Sequence, residues 1–186
     1  MNIARHILSF LLDIVETVVV AASIFVIVYL FLVQPHQVIG DSMLPNFHNK
    51  EYILTDKISY RFKQPQRGDI VVFQSPEDKE KDFIKRLIAM PGETIEVSEG
   101  KVYIDAKLLP EEYLDPDLQT PNGRFLTEGQ IFVVPPGSYM VFGDNRLNSS
   151  DSRSFGSIPA ADIVGKALLV YWPPKNFRLV PGVENR

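Results

Sequence analysis

The chain has 186 residues, 45% hydrophobic and 23% charged, enough for one sizeable core with a small subdomain and incompatible with wholesale disorder. Its net charge of −4 comes without any basic block, so nucleic acid, whose phosphates need clustered Lys and Arg, is excluded as a partner. The absence of cysteine removes disulfides, thiol catalysis and thiolate metal sites, and His6, His36 and His48 have no metal-ligand spacing, so neither a metal nor another cofactor is expected.

The first element is an uncharged apolar run over residues 17–33. Extended back to Ile14 it approaches the roughly 20 residues that a spanning helix needs. It is apolar all round, so it would not lie flat in a membrane interface. A buried core helix is the alternative, disfavoured by the uncharged length. The run also exceeds the apolar region of a cleaved export signal, and Gln34-Pro35-His36 follows where a small-x-small cleavage site would stand. An uncleaved single-pass anchor in the cell membrane is expected, with residues 5–16 extending the helix. Arg5 precedes the run and the next cation after it is Lys50, a bias that puts the N-terminus inside and the bulk of the chain on the extracytoplasmic face.

Beyond residue 34 no helical period is evident, and most windows are broken by the chain's 14 prolines. Short β-rich runs are predicted at 52–54, 69–73, 82–89, 94–97, 101–105, 130–134, 139–142 and 163–172. Residues 94–97 and 101–105 flank Ser98-Glu99-Gly100 and form a hairpin. Ile70-Val71-Val72-Phe73 is apolar on both faces, as a central strand would be. The stretch 110–129, with Pro116, Pro121 and Asn122-Gly123, is expected to be either a connecting loop in a smaller subdomain or a partly mobile segment. The expected fold is mostly β: one N-terminal transmembrane helix, then an antiparallel β-sheet catalytic domain with a smaller β subdomain. The divisions are 1–34 for tail and anchor, 35–92 with 139–186 for the catalytic core, and 93–138 for the subdomain inserted between the catalytic motifs.

Three segments carry chemistry. The first is Gly40-Asp41-Ser42-Met43-Leu44-Pro45, just after the apolar run. Its glycine and proline suit a rigid turn that could expose a nucleophile, although a lone Ser there more often caps backbone. Leu44 stands where a Gly-x-Ser-x-Gly elbow would need glycine, and no lysine follows Ser42 by three residues. The second segment is Phe83-Ile84-Lys85-Arg86-Leu87-Ile88-Ala89. Strand alternation puts Phe83, Lys85, Leu87 and Ala89 on one face and turns Arg86 to the other. A lysine among apolar neighbours loses solvation, its pKa falls, and the neutral amine can take a serine's proton. A lysine that snorkels to the sheet edge is the other reading. The third segment is Gly143-Asp144-Asn145-Arg146 with Asn148-Ser149-Ser150-Asp151-Ser152-Arg153. Asp144, Arg146, Asp151 and Arg153 read as a salt-bridged loop that holds the Ser42 and Lys85 segments in register.

Taken together, these motifs resemble the type I signal peptidases, membrane-anchored Ser/Lys endopeptidases that remove signal peptides from exported preproteins. The resemblance covers residues 37–165. It implies Ser42 as nucleophile, Lys85 as general base, Ser149 as the hydroxyl that contacts the lysine amine, and the Ser42 amide as part of the oxyanion hole. It also implies strand addition of an extended substrate, with Val38, Ile39, Val72, Phe83 and Ile84 lining an apolar pocket for small side chains, and a lipid bilayer as the second partner. Two positions depart from the pattern. Gly40 lacks the hydroxyl that some members add to the oxyanion hole, and Leu147 replaces an aspartate, which puts one loop salt bridge in doubt. Two alternatives remain: a self-cleaving repressor-type Ser/Lys protease, which would carry a DNA-binding helix-turn-helix where this chain has an anchor, and a membrane-tethered β adaptor without activity.

Overall fold

Helix α1 (Asn2–Ile27) contains a 22-residue stretch, His6–Ile27, with mean hydropathy 2.4 and none of it buried against the rest of the protein, long and apolar enough to cross a membrane. The computed structural model describes residues 2–181. After Ile27 the helix widens to a π turn, Val28–Leu32, and the chain enters β1 (Val33–Gln37). The helical span is therefore shifted towards the N-terminus of the predicted 17–33, and Val33 and Gln34 belong to a strand rather than to the anchor. Pro35 accounts for this: it has no N–H for a helix, and it is tolerated on an edge strand, which β1 is.

The larger sheet is antiparallel, in the order β1, β2 (Tyr52–Asp56), β11 (Ile163–Trp172), β3 (Ile70–Gln74), β4 (Asp82–Ala89), β9 (Ser138–Phe142) and β10 (Ile158–Pro159). A short strand, β12 (Arg178–Leu179), pairs with β11. The smaller sheet runs β7 (Lys107–Leu108), β6 (Lys101–Ile104), β5 (Thr94–Ser98), β8 (Phe132–Val133). The predicted β5–β6 hairpin is present. Its turn takes Glu99 and Gly100 to positive φ (49° and 72°), a geometry that glycine adopts without strain. Two single-turn helices, α2 (Ser59–Phe62) and α3 (Ser152–Phe155), interrupt the strands, as aperiodic segments with local capping can; Asp151 caps α3 by accepting from the Arg153 amide.

Strand β3 lies between β11 and β4 and is buried on both faces as its sequence predicts. Ile70 and Val72 join Val38, Met43, Phe47, Ile53, Ala167 and Val170 in one apolar cluster, while Val71 and Phe73 join Leu87, Tyr139, Val141 and Ile158 in another. A third cluster packs Ile95, Val97, Val102 and Ile104 of the smaller sheet onto Ile88 and Ala89 of β4 and Met140 and Phe142 of β9. The face expected for β4 holds only as far as Leu87. A register shift between Leu87 and Ala89 against β9 breaks the alternation, so Ala89 packs with Ile88 instead of with Leu87.

Candidate active site

The strand β4 delivers Lys85 and the turn following β1 delivers Ser42. Lys85 pairs across the sheet with Val71 and is 4% exposed. Its Nζ donates to Ser42 Oγ at 2.7 Å and to the Ile84 carbonyl at 3.0 Å, and sits 5.4 Å from the centre of the Phe83 ring. Burial pushes the amine's pKa down to about 8, with Arg153 adding to the fall, while the charges of Asp151 and Asp144 oppose it.

Ser42 begins a tight turn in which Leu44 N–H donates to Asp41 O and Phe47 N–H to Met43 O. Met43 and Phe47 are buried in the cluster beneath and fix the turn to the sheet, leaving Ser42 half-buried above it. Among the described residues, no acceptor takes the Ser42 N–H. The Ser42 carbonyl accepts from the Asn145 N–H at 3.0 Å, and Asn145 Nδ2 donates to Asp41 O at 3.0 Å. The Gly40 N–H donates to Asn49 Oδ1.

Ser149 lies at the side of this turn. A Cβ on Gly143 would come within 2.2 Å of Ser149 Oγ and 2.5 Å of the Ser42 carbonyl oxygen, so only glycine permits this approach. Ser149 Oγ is buried with no hydrogen-bond partner among the described residues, and the two acceptors of the Lys85 amine are Ser42 Oγ and the Ile84 carbonyl.

The charged loop residues are all buried and all paired. Arg86 grips Asp144 with two hydrogen bonds of 2.8 Å, donates to Gly68 O, and lays its guanidinium 3.8 Å from the centre of the Tyr113 ring. Arg153 grips Asp151, which also accepts the Gly143 N–H at 2.9 Å. Arg146 pairs with Glu111 and donates to Thr120 Oγ1, both in the 110–129 loop. Leu147 is exposed, and the neighbouring Arg146 has its ion pair with Glu111.

The five expected pocket residues do not form one surface. Val38, Val72 and Ile84 share a cluster, with the first two almost fully buried; Phe83 packs in the neighbouring cluster with Phe73; Ile39 is exposed. A cavity of about 500 Å³ lies elsewhere, lined by residues that include His48, Lys50, Glu51, Trp172 and Lys175. The Ser42–Lys85 pair instead borders two unpaired strand edges. Among the described residues, strand β1 pairs only with β2, and β9 covers β4 only from Arg86 onward, leaving Asp82–Lys85 open on that side.

Sequence reasoning missed three contributors. Asn46 donates to both Asp144 Oδ2 (2.8 Å) and Tyr113 O (3.2 Å), Glu111 holds Arg146, and Tyr113 covers Arg86. Only the polarity of Asn46 after apolar Met43, Leu44 and Pro45 could have signalled it.

A hydroxyl held against a buried, easily deprotonated amine on a rigid β framework is equipped for nucleophilic acyl transfer, and it defines a serine hydrolase with an amine as base. The chain belongs to the signal peptidase family, peptidase S26, which it matches over residues 11–172. It is 38% identical over 174 residues to the probable signal peptidase I-1 of Synechocystis sp., covering 89% of this chain and 84% of that one. It is 33% identical over 186 residues to signal peptidase IB of Staphylococcus aureus, covering 94% and 96% of the two chains. A crystallised signal peptidase I from Enterococcus faecalis is similar at 34% identity and a TM-score of 0.46, covering 56% of this chain and 97% of that one.

Proposed function

We propose that this chain removes signal peptides from exported preproteins as a membrane-anchored serine endopeptidase, with Ser42 as nucleophile and Lys85 as general base. The observation that carries the assignment is the 2.7 Å contact between Lys85 Nζ and Ser42 Oγ, made by an amine whose pKa is lowered by burial. The neutral amine takes the Ser42 proton as Oγ attacks the scissile carbonyl carbon. The resulting ammonium then gives that proton to the leaving amine, which departs as the new N-terminus of the mature protein. Water attacks the acyl-enzyme ester with Lys85 again as base, freeing the signal peptide and restoring Ser42. The unengaged Ser42 N–H is the donor proposed for the oxyanion. Gly40 contributes no hydroxyl there. Ser149, buried beside the turn, is proposed as a supporting hydroxyl that orients the amine.

The substrate is proposed to lie extended between the open edges of β1 and β4, held by backbone hydrogen bonds. Of the five apolar residues, Ile84 is proposed to face the substrate side chain next to the bond, with buried Val38 and Val72 behind it on the same face of β4, while Phe83 lies on the other face and Ile39 is exposed. Helix α1 keeps this groove close to a bilayer, and the catalytic domain is proposed to face the extracytoplasmic side. Asp144, Arg146, Asp151 and Arg153 are proposed as the frame that fixes the dyad.

The dyad is tested by Ser42→Ala and Lys85→Ala. Each is expected to abolish preprotein cleavage while melting and membrane association stay as in the parent. Cleavage surviving in either folded variant would remove that residue from its assigned role.

A further inference from the structure

A second contact joins the two segments that carry Ser42 and Lys85. His36 Nε2 meets Asp82 Oδ2 at 3.2 Å, and His36 Nδ1 meets the buried Thr55 Oγ1 at 2.9 Å. His36 is on β1 and Asp82 opens β4, strands that do not pair with each other. The two contacts, His36 with Asp82 and Ser42 with Lys85, advance in the same sense along both segments. They therefore bound a stretch of seam between the open edges. Along β4 that stretch is three residues, about 10 Å at the usual rise of a strand. The side chain of His36 is 14% exposed and that of Asp82 is 32% exposed. Because Nδ1 is tied to a buried threonine, the imidazole is fixed on the inner side of β1. Among the described residues nothing bonds the second carboxylate oxygen of Asp82, Oδ1.

We infer that the His36–Asp82 pair is a clasp across the substrate groove, and that Asp82 is a specificity-determining residue that accepts a hydrogen bond from a hydroxyl side chain at the third residue ahead of the scissile bond. This rests on the peptidase reading above. A peptide extended from Ser42 along the open edge of β4, with the residue before the scissile bond beside Ile84, brings the third residue ahead of that bond, two positions or about 7 Å further on, beside Asp82. Side chains of alternate residues share a face, so the residue before the bond and the third residue ahead of it point the same way. On β4, Ile84 and Asp82 also share a face, the one opposite to Phe83 and Lys85, so the first meets Ile84. The third meets a carboxylate, held by His36, with one oxygen to spare. An acceptor there favours a donor and disfavours its apolar isostere, which leaves that acceptor without a partner.

Threonine and valine have the same shape and differ in the hydroxyl, so they form the test. Two peptides identical except for Thr or Val at that residue are cleaved by the parent enzyme and by Asp82→Leu, His36→Phe and Asp82→Asn. The parent is expected to prefer Thr by about fivefold in kcat/KM, the worth of one hydrogen bond. Asp82→Leu and His36→Phe are expected to lose that preference, and Asp82→Asn, which keeps an acceptor oxygen, to retain part of it. A parent without preference, or variants that lose rate equally on both peptides, would show the pair to be structural and overturn the inference. Failure of the peptidase reading looks different: the parent cleaves neither peptide, and both proposals fall together.

Discussion

At the scale of single residues, the chemistry turns on whether Lys85 can be neutral. An exposed lysine titrates near 10.4, so at pH 7 it is almost wholly charged and useless as a base. Burial brings Lys85 to about 8, which leaves about one tenth of it neutral at pH 7. The active form is the deprotonated one, so kcat/KM is expected to rise with pH along a limb centred near 8. The charge of Asp151 supports the ammonium, so the isosteric Asp151→Asn is expected to move the limb to lower pH. Loss of that charge also leaves Arg153 unpaired, and its influence on Lys85 runs in the same direction. The pH dependence of kcat/KM on a soluble peptide checks both points. A limb near the free-lysine value would mean a solvated amine, and a limb shifted upward in Asp151→Asn would reverse the assigned sign.

At the scale of elements, the site is a junction of three segments: the turn 41–47, strand β4 and the loop 143–153. Asp144 is the strut common to all three, since it takes both Arg86 from β4 and Asn46 from the turn. Gly143 is the point of closest approach, with the Ser42 carbonyl against its Cα. Gly143→Ala is therefore expected to displace the Ser42 backbone. A misplacement of order 1 Å can cost about a hundredfold in rate, so kcat should fall by about that factor while the fold persists. Removing the Ser149 hydroxyl with Ser149→Ala in the same chain should not rescue it, because the clashes with the Ser42 carbonyl and with the Cβ of residue 149 remain; a rescued double variant would show that only the Ser149 hydroxyl was in the way. The same junction shows what the sequence could carry. Strand β3 was legible as an apolar run between turn signals and β4 by its alternation as far as Leu87; Lys85 was legible as a charge among apolar neighbours, whereas Ser42 took its role from the resemblance. Their meeting was not legible, because 43 residues separate them and only the order of strands brings them together. Strand β1 was hidden because Val33 continues the apolar run and Pro35 looks like a break. The pair of Arg146 with Glu111 lies in a loop with no period, where a partner 35 residues away leaves no local mark.

At the scale of the whole molecule, the π turn and β1 connect the anchor to the catalytic sheet. No part of the candidate span His6–Ile27 is buried against the rest of the protein, and the three apolar clusters are built from residues 38–180. The anchor therefore contributes location and little to the core. Strand β1 is different, because its backbone pairs with β2 from Val33 to Gln37 and its chain leads into the Ser42 turn. A chain beginning at Val33 is expected to fold, to melt within a few degrees of the full-length protein, and to cleave soluble peptides with a similar kcat/KM. It should process preproteins in vesicles poorly, because enzyme and substrate are no longer confined to one surface. A chain beginning at Val38 removes β1 and should lose the dyad as well as the membrane. In sealed vesicles of known orientation, full-length protein is expected to act only on the face opposite its N-terminus. If the Val33 chain fails to fold, or loses activity on soluble peptides as severely as the Val38 chain, then α1 is part of the catalytic unit and the division between anchor and enzyme does not hold.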